Sequence, residues 1–270
     1  MRKSKKYSAK AVRTLIFYII LVGIWYLLWY ILTQKLKIAE NVFVSPCEVV
    51  KSLYRFIIKN ESGFWLQTAE TLTRLFCGYF ISLCVGVLLA GILFVSGVFK
   101  NDIRSLLSGL QSLPNVCWVP FAIVLCGLDS NAVYFIIVMG SAPSIALCIE
   151  SALRNIDPMY KRVGKTLGCN RIGMFTRIYL PASLPNMITG LKHAWAFAWR
   201  ALMAGEMNCL FSVNSKGLGY LMFNLRYSGA IDKVMCIMTV LILIGVFFDK
   251  AVFGMLENKI MTSHGIRRDS

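Results

Sequence analysis

Acidic residues are scarce in this chain. Only 13 Asp and Glu stand against 29 Lys and Arg, and charges of both signs fill just 16% of 270 positions. A soluble domain carries roughly 25%, so an ordinary water-facing surface is excluded over most of the sequence. Histidine is scarcer still, with His193 and His264 alone. Neither a histidine-based zinc site nor chemistry that needs clustered His, Asp or Glu at one membrane face has material to work with. The nine cysteines form no Cys-x-x-Cys pair. Most fall inside apolar stretches (Cys77, Cys84, Cys117, Cys126, Cys148, Cys236) and read as small packing residues. Cys47 and Cys209 both fall where they can face outward, which leaves a disulfide open without arguing for it. Nothing in the pattern asks for a cofactor or a metal.

What the chain has is apolar length. Hydrophobic residues make up 57% and the mean hydropathy is +0.64, the composition of a polytopic, all-α membrane protein. Six spans are expected, at 14–32, 72–96, 106–127, 132–153, 184–207 and 233–255, each long enough to cross a hydrocarbon core of ~30 Å at 1.5 Å per residue. The formal charge of +16 does not indicate nucleic acid, because the basic residues sit between apolar segments. With both termini in the cytosol, Lys and Arg divide 18 inside to 8 outside, with Arg74, Lys192 and Arg200 inside or at the edge of spans, as the positive-inside rule requires. The outer segment 33–70 runs against the rule, since it holds Lys35, Lys37, Lys51, Arg55 and Lys59. The expected organisation is a basic cytosolic N-terminus (1–13), a membrane domain in contact with lipid (14–255) and a cytosolic tail (256–270). Met1 to Lys6 resembles the start of a signal peptide, but the apolar run that follows is too long and lacks a small-x-small cleavage site, so a retained span is expected.

Local signals refine this outline. Pro46 opens an amphipathic stretch, Val49, Val50, Leu53, Tyr54, Phe56 and Ile57, suited to lying along the outer membrane surface. Gly78, Gly86, Ala90 and Gly91 in the second span let helices approach closely. Pro114 and Pro120 should bend or break the third span. A break inside a bilayer survives where protein buries it or where it lines a wet cavity, which makes both prolines candidates for a translocation pathway or a dimer seam.

The segment 154–183 is predicted to be cytosolic and holds Arg154, Lys161, Arg162, Lys165, Arg171 and Arg177. Asp157-Pro158 supplies an N-cap and a first-turn proline. A short helix from Met159 to Leu167 should stop at Gly168 in a left-handed turn. Asn170 should cap a second helix through Ile178, and Pro181 and Pro185 then restart the chain. Gly164-Lys165-Thr166 imitates the end of a P-loop, but Met159 stands where that motif needs its first glycine and no strand precedes it. Nucleotide binding in that manner is excluded.

Arg162-Val163-Gly164, Gly168 and Ile178-Tyr179-Leu180-Pro181 resemble the E-A-A-x3-G-x9-I-x-L-P loop of ABC-importer permeases, with Arg162 where that family has Glu and Val163 and Gly164 where it has alanines. Thr71-Leu72-Thr73-Arg74 with Gly78-Tyr79, Leu113-Pro114 through Pro120, Trp199, Ala204-Gly205-Glu206-Met207 and Gly217-Leu218-Gly219-Tyr220-Leu221 resemble the nitrate/sulfonate/taurine branch. The resemblance covers about residues 64–260. It implies a type I importer fold in a prokaryotic plasma membrane, with a separate ABC ATPase subunit, an extracytoplasmic solute-binding protein and a second permease copy. It also implies that Arg162, Val163, Gly164, Gly168, Ile178, Leu180 and Pro181 form the ATPase-coupling loop. An ionised group within a span is expensive unless it faces a cavity or partner, so Arg200 is a pathway candidate for an anion, against snorkelling or a structural pair. Trp199 and Glu206 on the same span are pathway candidates too; Glu206 is expected nearer the outer interface, and Trp199, with Trp195 on the same face, packs or lines the seam. An ion-coupled secondary transporter would call for internal repeats and paired broken helices; a lipid-modifying enzyme would call for clustered His and acids. Neither pattern is evident.

Overall fold

The computed structural model describes Ile16, Ile20 and residues 23–35, 44–210 and 215–263. The basic segment 1–13, part of the first predicted span and the tail beyond 263, with His264, lie outside the described residues. Helix dominates, and no strand occurs among the described residues. The chain divides into two compact units, Met1–Trp65 with Met222–Leu241, and Leu66–Leu221 with Ile242–Ser270.

In the first unit the amphipathic stretch is helix α1, Pro46–Ile58, with Ser45 Oγ accepting the Glu48 N–H at 3.3 Å. Val49, Ser52 and Phe56 are buried, while Val50, Tyr54 and Ile58 face out. Ser52 Oγ donates to Asp232 Oδ2 at 2.9 Å, and Lys233 Nζ meets Glu61 Oε1 at 2.6 Å.

The remaining helices are α2 (Phe64–Val95), α3 (Lys100–Ser112), α4 (Val119–Cys126), α5 (Ser130–Arg154), α6 (Pro158–Thr166), α7 (Leu180–Cys209), α8 (Leu218–Tyr227), α9 (Ile231–Phe247) and α10 (Gly254–Ser263). With their adjoining turns, Glu61–Val95, Ser130–Arg154 and Ile231–Thr262 are long and apolar enough to cross a membrane. They cover the second, fourth and sixth predicted spans and extend beyond them. Helix α7 covers the fifth. Its Lys192, His193, Arg200 and Glu206 lower its hydropathy, and of the four only Glu206 is buried.

The predicted span 106–127 is broken, as expected, at Pro114. It is not one helix: α3 and the run Asn115–Cys126 meet at 100°. Proline disfavours helical backbone in the residue before it, and Leu113 is extended (φ −67°, ψ 132°) ahead of Pro114. Pro120 breaks nothing, because it lies in the first turn of α4, where its missing N–H had no helical partner. The second unit is organised around α5, which packs along α7 for most of its length. Its core joins Leu75, Val133, Ile136, Ile137, Trp195, Ala198 and Leu202. The small residues of α2 act as expected at two positions: a Cβ on Gly78 would overlap Ile137, and one on Gly86 would overlap Ile145. Gly91 meets nothing within 4 Å. All nine cysteines are free thiols, and Cys209 is fully buried.

Candidate functional site

Two constellations in the second unit carry the residues singled out in the sequence. The first is the elbow. Asp157 Oδ1 accepts the Met159 N–H at 2.8 Å and starts α6. The helix ends where Cys169 N–H reaches Gly164 O at 3.1 Å and Gly168 N–H reaches Lys165 O at 3.1 Å, with Gly168 at φ +65°. These two bonds satisfy the last carbonyls in the pattern that favours glycine at the left-handed position. Asn170 Oδ1 accepts the Gly173 N–H at 2.7 Å and starts the return arm. That arm does not stop near Ile178. Arg171–Met174, a π turn at Phe175–Tyr179 and α7 follow without a gap, with Pro181 in the first turn of α7. The expected restart is therefore corrected: the arm and the predicted fifth span are one continuous helical rod. Gly164 is buried at the crossing of the two arms, where a Cβ would overlap Ile178 Cδ1 and Met174 Sδ. Arg162, Val163 and Leu180 are exposed, and Ile178 and Pro181 are half-buried. Gly164-Lys165-Thr166 is ordinary helix.

The second constellation is a buried polar knot built from three of the quoted motifs. Arg74 Nη1 donates to Glu206 Oε1 at 3.0 Å. Thr71 Oγ1 donates to Glu206 Oε2 at 2.9 Å, and the Gly219 N–H donates to the same oxygen at 2.9 Å. The Leu218 N–H donates to Thr71 Oγ1 at 2.7 Å, and Arg74 Nη1 also reaches Lys216 O. Gln67 Oε1 accepts the Gly217 N–H. Gly217 has φ +145°, and a Cβ on it would strike the Glu206 carboxylate; one on Gly219 would strike Glu206 Cβ. Glu206 is 0% exposed. It is a carboxyl group enclosed by protein, held by donors from Arg74, Thr71 and Gly219.

The other pathway candidates are dispersed. Arg200 is exposed, with Nε donating to Ala196 O at 3.1 Å and its guanidinium 4.7 Å from the centre of the Phe197 ring. Trp199 is half-buried against the core. Trp195 is buried among Phe76, Tyr79, Phe248 and Phe253. Pro114 and Pro120 are exposed. The fold does not gather Pro114, Pro120, Trp199, Arg200 and Glu206 into one cluster.

One buried charged residue escaped the sequence reading. Glu150, four residues before the end of α5, is 0% exposed, with Lys100 Nζ at 3.0 Å and Arg104 Nη1 at 3.4 Å. These are ion pairs without aligned hydrogen bonds to the carboxylate. They fasten α3 to the segment of α5 that leads into the elbow, beside a small apolar cluster of Leu93, Leu107 and Ala146. A signal existed: a lone acid near the end of an apolar run requires a cation from elsewhere.

Residues 82–260 match the family described as binding-protein-dependent transport system inner membrane component. The chain is 25% identical to the nitrate import permease protein NrtB of Leptolyngbya laminosa, over 93% of this chain and 88% of that protein. It is 24% identical to the putative aliphatic sulfonates transport permease protein SsuC of Escherichia coli K12, over 82% of each. A solved structure of the MetNI methionine ABC transporter in inward-facing form has the same fold, with TM-score 0.62 and 20% identity over 74% of this chain and 98% of that one.

Proposed function

The chain belongs to the family of binding-protein-dependent transport system inner membrane components, and from that premise we propose how its parts divide the work of moving a small oxyanion or sulfonate inward. It is the membrane-embedded permease of an ABC importer and is not itself an enzyme; ATP is hydrolysed in a partner chain. The relatives named for nitrate and aliphatic sulfonates support an anionic solute. An extracytoplasmic binding protein delivers that solute, two permease copies frame the passage, and both termini and the elbow 158–181 face the cytosol. Arg162, Val163, Gly164, Gly168, Ile178, Leu180 and Pro181 form the coupling loop. Arg200 lines the passage, with Trp199, Pro114 and Pro120 along or near the seam; Glu206 leaves that set and braces the bundle.

The observation that carries this reading is the crossing at Gly164. Two short arms locked there and running directly into α7 form a lever: a push on α6 must turn α7 instead of bending a loop. The experiment is Gly164→Leu. Overpacking costs about 1–3 kcal/mol, enough to spread the arms of an elbow whose helices otherwise remain intact. ATP-driven uptake should fall by about tenfold or more while the purified permease is still recovered folded and monodisperse. Uptake at the wild-type rate would remove the elbow from coupling.

A further inference from the structure

The outward side of α6 is an apolar strip with positive charge along one border. Met159, Val163 and Leu167 recur every fourth residue and are 68%, 45% and 71% exposed, with Tyr160 beside Leu167. On a helical projection Arg162 lies about 60° from Met159, on the side away from Tyr160, and Lys165 about 60° further round. Both are exposed. The opposite border is closed, because Gly164 is buried there against Met174 and Ile178. The sole carboxylate between residues 154 and 180 is Asp157, and it is engaged in capping α6. A helix lying flat on a bilayer keeps a whole polar face turned to water and headgroups. Here the border beyond Tyr160 is packed protein at Gly164 and the charge of Arg162 and Lys165 lies on the other border, which suits a groove with a wall beside Arg162.

We propose that the groove receiving α6 is apolar along its floor and acidic on the wall facing Arg162 and Lys165, so that this permease is served by an ATPase subunit carrying carboxylates there. The proposal rests on the elbow being the ATPase-docking surface. Charges at a rim govern association rate and salt dependence, and like charges brought together oppose binding. A subunit whose groove presents cations at that wall is therefore rejected.

The test is retention of the cognate ATPase subunit on the full-length permease in neutral-lipid nanodiscs, followed as salt is raised. Arg162→Glu should weaken retention on the order of tenfold at low salt and flatten the salt dependence. Arg162→Lys should keep most of it, and an acid-to-lysine reversal on the groove wall should recover the Arg162→Glu permease. Retention unchanged or strengthened by Arg162→Glu overturns the acidic wall. Leu167→Asp tells the two layers apart. If it releases the ATPase while Arg162→Glu does not, docking stands and the acidic wall falls; if it releases nothing, the docking surface itself is elsewhere. A fluorophore at position 160 that stays in contact with anionic lipid when the ATPase is bound would assign the strip to the bilayer and end the proposal.

Discussion

Glu206 shows how far a single side chain can depart from what its neighbours in sequence suggest. Its cationic partner is Arg74, 132 positions away, and its other donors come from Thr71 and Gly219. Removing one member of a buried ion pair leaves the other charge uncompensated, at about 3–5 kcal/mol. Glu206→Ala should therefore lower the melting temperature and the yield of monodisperse permease. Glu206→Gln, which still accepts from Thr71 and Gly219, should be milder. Equal thermal stability of wild type and Glu206→Ala would show that the knot is not a brace. Arg200 poses the opposite case, since it is exposed and its contacts lie within its own helix and on the adjacent ring. Arg200→Gln should leave complex yield intact and reduce anion uptake severalfold, because a cation in a low-dielectric passage attracts far more strongly than one in water. Normal uptake by that variant would take Arg200 out of the pathway.

Among the elements, prolines and glycines decided the outcome by position more than by number. Pro114 turns the chain by forcing Leu113 into extended backbone, whereas Pro120 and Pro181 enter first turns and leave their helices whole. The bend leaves α3 as a separate amphipathic helix whose Lys100 and Arg104 reach Glu150. That contact places a charged strap close to where α5 hands over to the elbow. Glu150→Ala should leave the two cations without their acid and loosen α3. Faster proteolysis or deuterium exchange across 97–112 is expected, with uncoupled ATP hydrolysis rising relative to uptake. The same exchange in α3 for wild type and variant would show that the apolar cluster around Leu107 suffices alone.

At the scale of the whole molecule, import depends on energy from another chain. The permease, reconstituted with its ATPase and binding protein in liposomes lacking any ion gradient, should accumulate solute when ATP is enclosed and stop when ATP is omitted. Uptake driven by a proton or sodium gradient without ATP would restore the ion-coupled carrier set aside above. The buried knot and the exposed elbow differ in kind: one holds α2, α7 and the start of α8 together, and the other leaves Arg162, Val163 and Leu180 open to solvent.

Class, most helix positions and the bent shape of the elbow were legible in the linear order of residues, because they depend on local matters: apolar run length, cap residues, and glycine and proline at fixed spacing. The Asp157 and Asn170 caps and the turn at Gly168 lie where those rules place them. The burial and partners of Glu206, the strap on Glu150 and the continuity of the return arm with α7 were decided by tertiary structure. A buried charge takes its meaning from whichever distant donors surround it, and a helix carries through a predicted stop when packing compensates the local cost.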